Sequence, residues 1–178
     1  MRYAPTPLAG AFVLDLEKIE DSRGYFAYLF DSAEAQQHGL RTEVLQVKLS
    51  SNKVKGTLRG MHLQLPPAQE SKLLRCIRGA IYDVIVDLRT DSPTYLHHFG
   101  VELSSDNHRA LYVPPMFAHG YQTLTDHAEV MYQVDQEYSP GHEMGLRYDD
   151  PALKIRWPLP VTQISEKDKA WPLVTRGA

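Results

Sequence analysis

Between Gly10 and Tyr138 the chain is written almost continuously in short β-forming runs, each closed by turn chemistry. The runs are GAFVLDL (10–16), GYFAYLF (24–30), EVLQVKLS (43–50), GTLRGMHLQ (56–64) and KLLRCIR (72–78). They continue with AIYDVIVDLR (80–89), LHHFGVEL (96–103), ALYVP (110–114), HGYQTLT (119–125) and EVMYQVDQEY (129–138). Gly79, Ser92-Pro93, Asp106-Asn107 and Pro114-Pro115 supply turns between several of them. Strands recurring at about eight to twelve residues mark an all-β sandwich or barrel. Only DSAEAQQHG (31–39) reads as a helix, with Asp31 or Ser32 as N-cap and Gly39 as its stop. A shorter helical turn begins at Ser165 in SEKDKAW. No repeat or linker interrupts the pattern, and 178 residues at 43% hydrophobic suit one domain spanning 1–178.

In AIYDVIVDLR, Tyr82, Val84, Val86 and Leu88 share one face, and Ile81, Asp83, Ile85, Asp87 and Arg89 the other. Carboxylates among the apolar positions of a strand imply a barrel whose lumen is partly polar and able to hold a ligand. The net charge of −3 argues against a nucleic-acid footprint but not against a local anion site built from two or three cations. The single Cys76 reads as a small core residue, cannot form an intrachain disulfide, and fits a cytoplasmic setting. No apolar run approaches a membrane span, and Asp15 and Glu17 break up the N-terminal stretch where a signal peptide would lie.

The stretch LRGMHLQLPPAQESKLLRC (58–76) places Arg59, His62, Lys72 and Arg75 in otherwise core-like strands. An imidazole exchanges a proton near neutrality, so His62 is the best general-base candidate. Arg59 offers a planar fork for phosphate, and Lys72 a compact charge for an oxyanion. Arg59 and His62 face opposite sides of an ideal strand, and Gly60 between them provides for a bulge or kink. Arg75 acquires no role and reads as a surface or structural residue. His119-Gly120 opens a strand where backbone can approach a ligand. Tyr132 and Tyr138, six residues apart, fall on one face if the strand runs through both. A metal site is not expected: His62 is followed by Leu63-Gln64 rather than a His-x-His pair, and adjacent His97 and His98 diverge in a strand.

RGMHLQLPPAQESKLLRC, GAIYDVIVDLRTDSPTY, VPPMFAHGYQTL, MYQVDQEYSP, DDPALKIRWP and ISEKDKAWPL run in one order, with DSRGYF ahead of them. Over roughly residues 10 to 172 this series resembles the nucleotide-sugar 3,5-epimerases typified by dTDP-4-dehydrorhamnose 3,5-epimerase. The resemblance implies a cupin-type jelly-roll barrel with short peripheral helices, a homodimer, and no metal or other cofactor. It implies His62 as the base beside a C4 ketone, Tyr132 as the acid on the opposite face, and Asp168 as the carboxylate that orients His62. The bland alternative for Asp168 is a local cap bonded back to Ser165. Arg59, Lys72 and His119 resemble residues around the sugar and diphosphate, with Asp83 a candidate to position Lys72. Tyr138 resembles a ring stacked on the base, and Glu143 lies at a family binding position. Arg23 and Phe26 resemble the contribution of a partner subunit to the same site.

The departures concern the nucleotide end. The family's glutamate two residues beyond RGYF is Tyr28 here, its Gln-x-Asn is Gln46-Val47-Lys48, and its Ser-x-Ser pattern is replaced within LSSNKVKG. Gln46 remains a binding candidate, while the nucleobase stays open among dTDP-, CDP- and GDP-linked ketosugars. Single epimerisation at C3 or C5, ketoisomerisation, and non-catalytic nucleotide-sugar binding are the alternatives to double epimerisation.

Overall fold

A computed structural model of the chain describes residues 1–174. Among these, thirteen strands and two helices are formed. The strands are β1 (Arg2–Pro5), β2 (Phe12–Asp15), β3 (Ile19–Asp21), β4 (Gly24–Phe26), β5 (Gln46–Asn52), β6 (Leu58–Gln64) and β7 (Lys72–Arg78). They continue as β8 (Ala80–Asp87), β9 (His98–Ser104), β10 (Ala110–Val113), β11 (Phe117–Thr123), β12 (Ala128–Val134) and β13 (Glu143–Gly145). The helices are α1 (Ser32–Gln37) and α2 (Glu166–Lys169). A six-stranded sheet in the order β1-β2-β10-β7-β12-β5 faces a five-stranded sheet in the order β13-β6-β11-β8-β9. This is the cupin-type jelly roll with peripheral helices that the family resemblance implied.

The alternation along β8 shows how the layers are made. Ile81 and Ile85 point between the sheets, where they pack with Leu74, Cys76, Leu103, Leu111, Phe117 and Val130. Val84 and Val86 point the other way, against Met61, Leu63, Leu146 and Leu153. A third apolar cluster, with Leu14, Ala35, Leu40, Ala110 and Tyr112, seats α1 against the six-stranded sheet. Asp31 caps α1 by accepting from the amides of Ala33 and Glu34 at 2.9 and 3.0 Å. Cys76 is 1% exposed, and burial pushes its thiol up to about 11.

The structure corrects several sequence expectations. The run 24–30 is a strand only over Gly24–Phe26, because it pairs solely with β3 in an exposed two-stranded hairpin. The run 129–138 ends at Val134. Beyond it, the Asp135 carboxylate accepts from the Ser71 amide and hydroxyl at 2.6 and 2.8 Å, a side-chain bond that replaces the ladder. Tyr138 therefore lies outside the strand that carries Tyr132. Of the two readings of Arg75, the structural one holds and the surface one does not: it is 6% exposed and donates to the carbonyls of Leu29 and His108. Burial without a carboxylate lowers its guanidinium to about 10. The short β1, β3 and β13 have too few residues to show a period.

Candidate active site

Between the two sheets lies a cavity of about 520 Å³, lined from both sides. The five-stranded sheet contributes Leu58, Arg59 and His62 from β6 and His119 and Tyr121 from β11. The six-stranded sheet contributes Ser50 from β5, Lys72 and Leu74 from β7, and Tyr132 from β12. The segment from Gln163 to Asp168 closes the remaining side.

Arg59 and His62 both reach this cavity because β6 carries an extra residue. His62 pairs with His119 and Arg59 with Tyr121, so three steps along β6 match two along β11. Gly60 sits in the bulge at φ +119, where a Cβ would meet the Cα of Gly120 at 2.5 Å. The residue-by-residue alternation that would have separated the two side chains is broken there.

Asp168 comes from more than a hundred residues downstream by a strap laid along β6. The amide of Leu58 donates to the carbonyl of Gln163 at 2.8 Å, and Ser165 then caps α2 by accepting from the Asp168 amide at 3.1 Å. The Asp168 side chain is thereby left for β6. Its Oδ1 lies 2.6 Å from Nε2 of His62, and its Oδ2 accepts from the Gly60 amide at 3.2 Å. Burial alone would raise this carboxyl, but the hydrogen bond and charge of His62, helped by the Gly60 amide, hold it below the ordinary carboxylate range. The strap is also packed from behind: Trp171 meets His62 edge-on, with ring centroids 6.3 Å apart. A Cβ on Gly145 would lie 2.2 Å from the same indole. Gly145→Ala is therefore expected to displace Trp171 and cost about 1–3 kcal/mol. The check is the denaturant midpoint, and an unchanged value would mean that the strap shifts freely.

Across the cavity, burial raises the Tyr132 phenol above its ordinary value despite the opposing charge of Arg59, so it carries its proton at neutrality. Lys72 is 9% exposed; its Nζ lies 3.1 Å from Oε1 of Glu70 and donates to the His62 carbonyl at 3.4 Å. The expectation that Asp83 positions Lys72 is not met. Asp83 is 0% exposed and bonds His119 instead, with Nε2 at 3.1 Å from Oδ2 and 2.9 Å from Oδ1. The two lie on adjacent strands of one sheet as diagonal neighbours, Asp83 standing opposite Tyr121 and His119 opposite Ile85. Burial raises the Asp83 carboxyl, and His119 and Lys72 only partly oppose this.

A recess of about 150 Å³ adjoins the cavity, shares His62, Lys72 and Tyr132 with it, and adds Lys48, Glu70, Tyr138 and Glu143. Tyr138 donates to Oε2 of Glu143 at 2.9 Å, and Lys167 pairs with the same oxygen. Burial opposes ionisation of Glu143, but Lys167 and Tyr138 outweigh it and hold the carboxyl low. Arg23, Phe26 and Gln46 do not line the main cavity. Arg23 pairs with Asp21 on the β3–β4 hairpin, and Phe26 is 58% exposed beside Tyr28. Tyr121, on the cavity wall, and Asn52, bonded to Arg59, are not among the residues that the sequence singles out. Their signals were there: Tyr121 stands two residues after His119, and Asn52 lies within the LSSNKVKG departure. Among the described residues no group of three or more His, Cys, Asp or Glu is arranged to hold a metal ion. None of the described helices is long and apolar enough to cross a membrane.

The model of the dTDP-4-dehydrorhamnose 3,5-epimerase family matches residues 5–176. A dTDP-4-dehydrorhamnose 3,5-epimerase of Methanothermobacter thermautotrophicus is 42% identical over 173 residues, 96% of this chain and 92% of the relative. The crystal structure of the Bacillus anthracis enzyme of that name, with TDP and PPi bound, aligns with a TM-score of 0.93 at 40% identity, covering 97% of this chain and 99% of that one. A 3'-monoepimerase from Streptomyces bikiniensis, in complex with dTDP-quinovose, aligns at 0.86 and 30% identity, covering 95% and 86%. The match runs through the strands that bear His62 and Tyr132 and through the strap that bears Asp168, and the chain belongs to the dTDP-4-dehydrorhamnose 3,5-epimerase family.

Proposed function

We propose that residues 1–178 act as a single cupin-like epimerase domain that inverts C3 and C5 of a nucleotide-linked 4-keto-6-deoxyhexose. The reaction is of the dTDP-4-dehydro-6-deoxyglucose to dTDP-4-dehydrorhamnose type, within deoxysugar biosynthesis. One observation carries the reading: the His62–Asp168 pair and the Tyr132 phenol enter one cavity from facing sheets. A sugar ring between them presents one face to a base and the other to an acid.

The chemistry follows from the ketone. A hydrogen on C3 or C5 is acidic because the electron pair left behind delocalises onto the C4 oxygen as an enolate. With Nε2 of His62 donating to Asp168, the lone pair on Nδ1 takes that proton. Lys72 and His119 stabilise the enolate oxygen, and Asp168 stabilises the imidazolium. Tyr132 then gives its phenolic proton to the carbon from the opposite face. The imidazolium and phenolate return to their starting states through solvent, and the cycle repeats at the second carbon.

Arg59 binds the diphosphate, Tyr138 stacks on the base, and Glu143 and Gln46 complete the nucleotide end. Arg23 and Phe26 serve the neighbouring site of a homodimer. Support for this comes from the β3–β4 hairpin, which lines no part of its own cavity and leaves Ile19 and Phe26 64% and 58% exposed. The relatives that hold TDP or dTDP-sugars favour dTDP as the nucleotide. The lone, buried Cys76 fits a cytoplasmic setting.

The test is incubation with dTDP-, CDP- or GDP-4-keto-6-deoxyglucose in D2O, followed by mass spectrometry and NMR of the sugar. Two deuterons, at C3 and C5 of the dTDP sugar, are expected. One deuteron would make the enzyme a single epimerase, and a migrated carbonyl a ketoisomerase. No uptake with any of the three would overturn the enzymatic reading and leave a nucleotide-sugar-binding cupin.

A further inference from the structure

The departure LSSNKVKG covers the end of β5 and the connection toward β6, and it has a structural consequence. Within it Ser50 and Asn52, two residues apart, share one face of β5. Asn52 is 2% exposed and uses its whole amide. Its Oδ1 accepts from Nε of Arg59 at 2.7 Å, and its Nδ2 donates to the Tyr121 hydroxyl and the Ala128 carbonyl, each at 3.2 Å. Tyr121 is in turn bonded to the Ser50 hydroxyl at 2.8 Å and is 4% exposed. The chain Ser50–Tyr121–Asn52–Arg59 thus runs from one sheet to the other and ends on the cation at the cavity wall.

Arg59 itself is exposed. A long side chain in that position ordinarily samples many rotamers and loses that freedom when it binds an anion. Here a buried carbonyl oxygen holds Nε and the Ser51 carbonyl accepts from Nη2 at 3.4 Å, while Nη1 and the second proton of Nη2 stay available for bonds to phosphate oxygens. A serine hydroxyl stands one bond from Cβ and has one proton to donate. It lacks both the reach and the second donor proton to replace the amide's three bonds.

We propose that Asn52 is a positioning residue that sets Arg59 for the diphosphate of the substrate, with Tyr121 fixing the amide of Asn52. The proposal rests on the reading of Arg59 as the diphosphate ligand. The asparagine makes the anion site of this chain more rigid than a serine at the same place would.

The experiment measures calorimetric binding of dTDP and of inorganic pyrophosphate to the native enzyme, Asn52→Ser, Tyr121→Phe and Arg59→Ala. Steady-state kinetics and thermal melts accompany the binding data. Asn52→Ser is expected to raise Kd for both anions and KM for the sugar nucleotide by about tenfold, the scale of one charge-assisted hydrogen bond. The loss falls on KM rather than on kcat. Tyr121→Phe is expected to shift the same quantities in the same direction by a smaller factor. In an Arg59→Lys background, which lacks Nε, Asn52→Ser is expected to add nothing further. If Arg59→Ala loses anion binding while Asn52→Ser does not, or if Asn52→Ser lowers kcat with KM intact, the positioning role is wrong. If Arg59→Ala binds dTDP as the native enzyme does, the diphosphate reading of Arg59 falls, and the proposal with it.

Discussion

His62→Ala is expected to stop deuterium uptake at both C3 and C5, lowering exchange by about 10²–10⁴-fold or to the level of the uncatalysed sugar. Nothing else in the cavity is placed to take over. Nε2 of His119 is committed to the buried Asp83, and Lys72 is paired with Glu70. Asp168 lies behind the imidazole at 4% exposure, and its lowered pKa makes it a weak base. Mass spectrometry of the sugar after incubation in D2O checks the result, and exchange that survives in the variant would mean that another group is the base.

The same substitution carries a pH signature that separates the pair from a bystander histidine. A carboxyl held low in the folded state adds stability above its ordinary pKa, and that stability is lost as the pH falls through the depressed folded value. For Asp168 the depression comes chiefly from His62, against burial, so His62→Ala leaves burial dominant and removes the acid-labile contribution. The stability gap between native enzyme and variant should be widest near neutrality and narrow as the pH drops into the carboxylate range. Denaturant midpoints at a series of pH values measure it. A gap independent of pH would show that the His62–Asp168 bond contributes nothing to the fold.

How much of this was readable beforehand depended on how local each signal is. The long strands announce themselves through alternation and turns within a few residues, so β6 to β8 and β11 stand close to where the sequence puts them. Strands of three or four residues have no period to detect, and β3, β4 and β13 take their form from partners. The pairing of His62 with Asp168 spans 106 positions and came from the resemblance, not from spacing. The common orientation of Arg59 and His62 depends on a one-residue bulge against Gly120, which a simple alternation rule inverts. Asp83 was visible as a lumen carboxylate, but its partner is set by the register of β8 with β11, which no single strand encodes. The bond from Asn52 to Arg59 joins β5 and β6, which belong to different sheets, so no single strand encodes it.

Tyr132→Phe is expected to divide the reaction where His62→Ala abolishes it. The ring is retained, so the cavity wall on β12 keeps its shape and only the proton donor is lost. Proton removal by His62 continues, and the enolate persists on the oxygen side faced by Lys72 and His119. Reprotonation from the His62 side then returns the starting sugar with solvent deuterium in place and its configuration unchanged. Conversion to the inverted product should fall by about 10²–10⁴-fold, the usual contribution of a general acid, while wash-in of deuterium into recovered substrate falls far less. The ratio of the two rates is the diagnostic, because a variant damaged in binding or folding would lower both together. If inversion and wash-in decline in parallel, the donor on the opposite face is not Tyr132; if both are unchanged, the phenol serves only as part of the wall. The separation follows from the architecture: the base and the acid belong to different sheets, and removing one leaves the face of the sugar that the other sees intact.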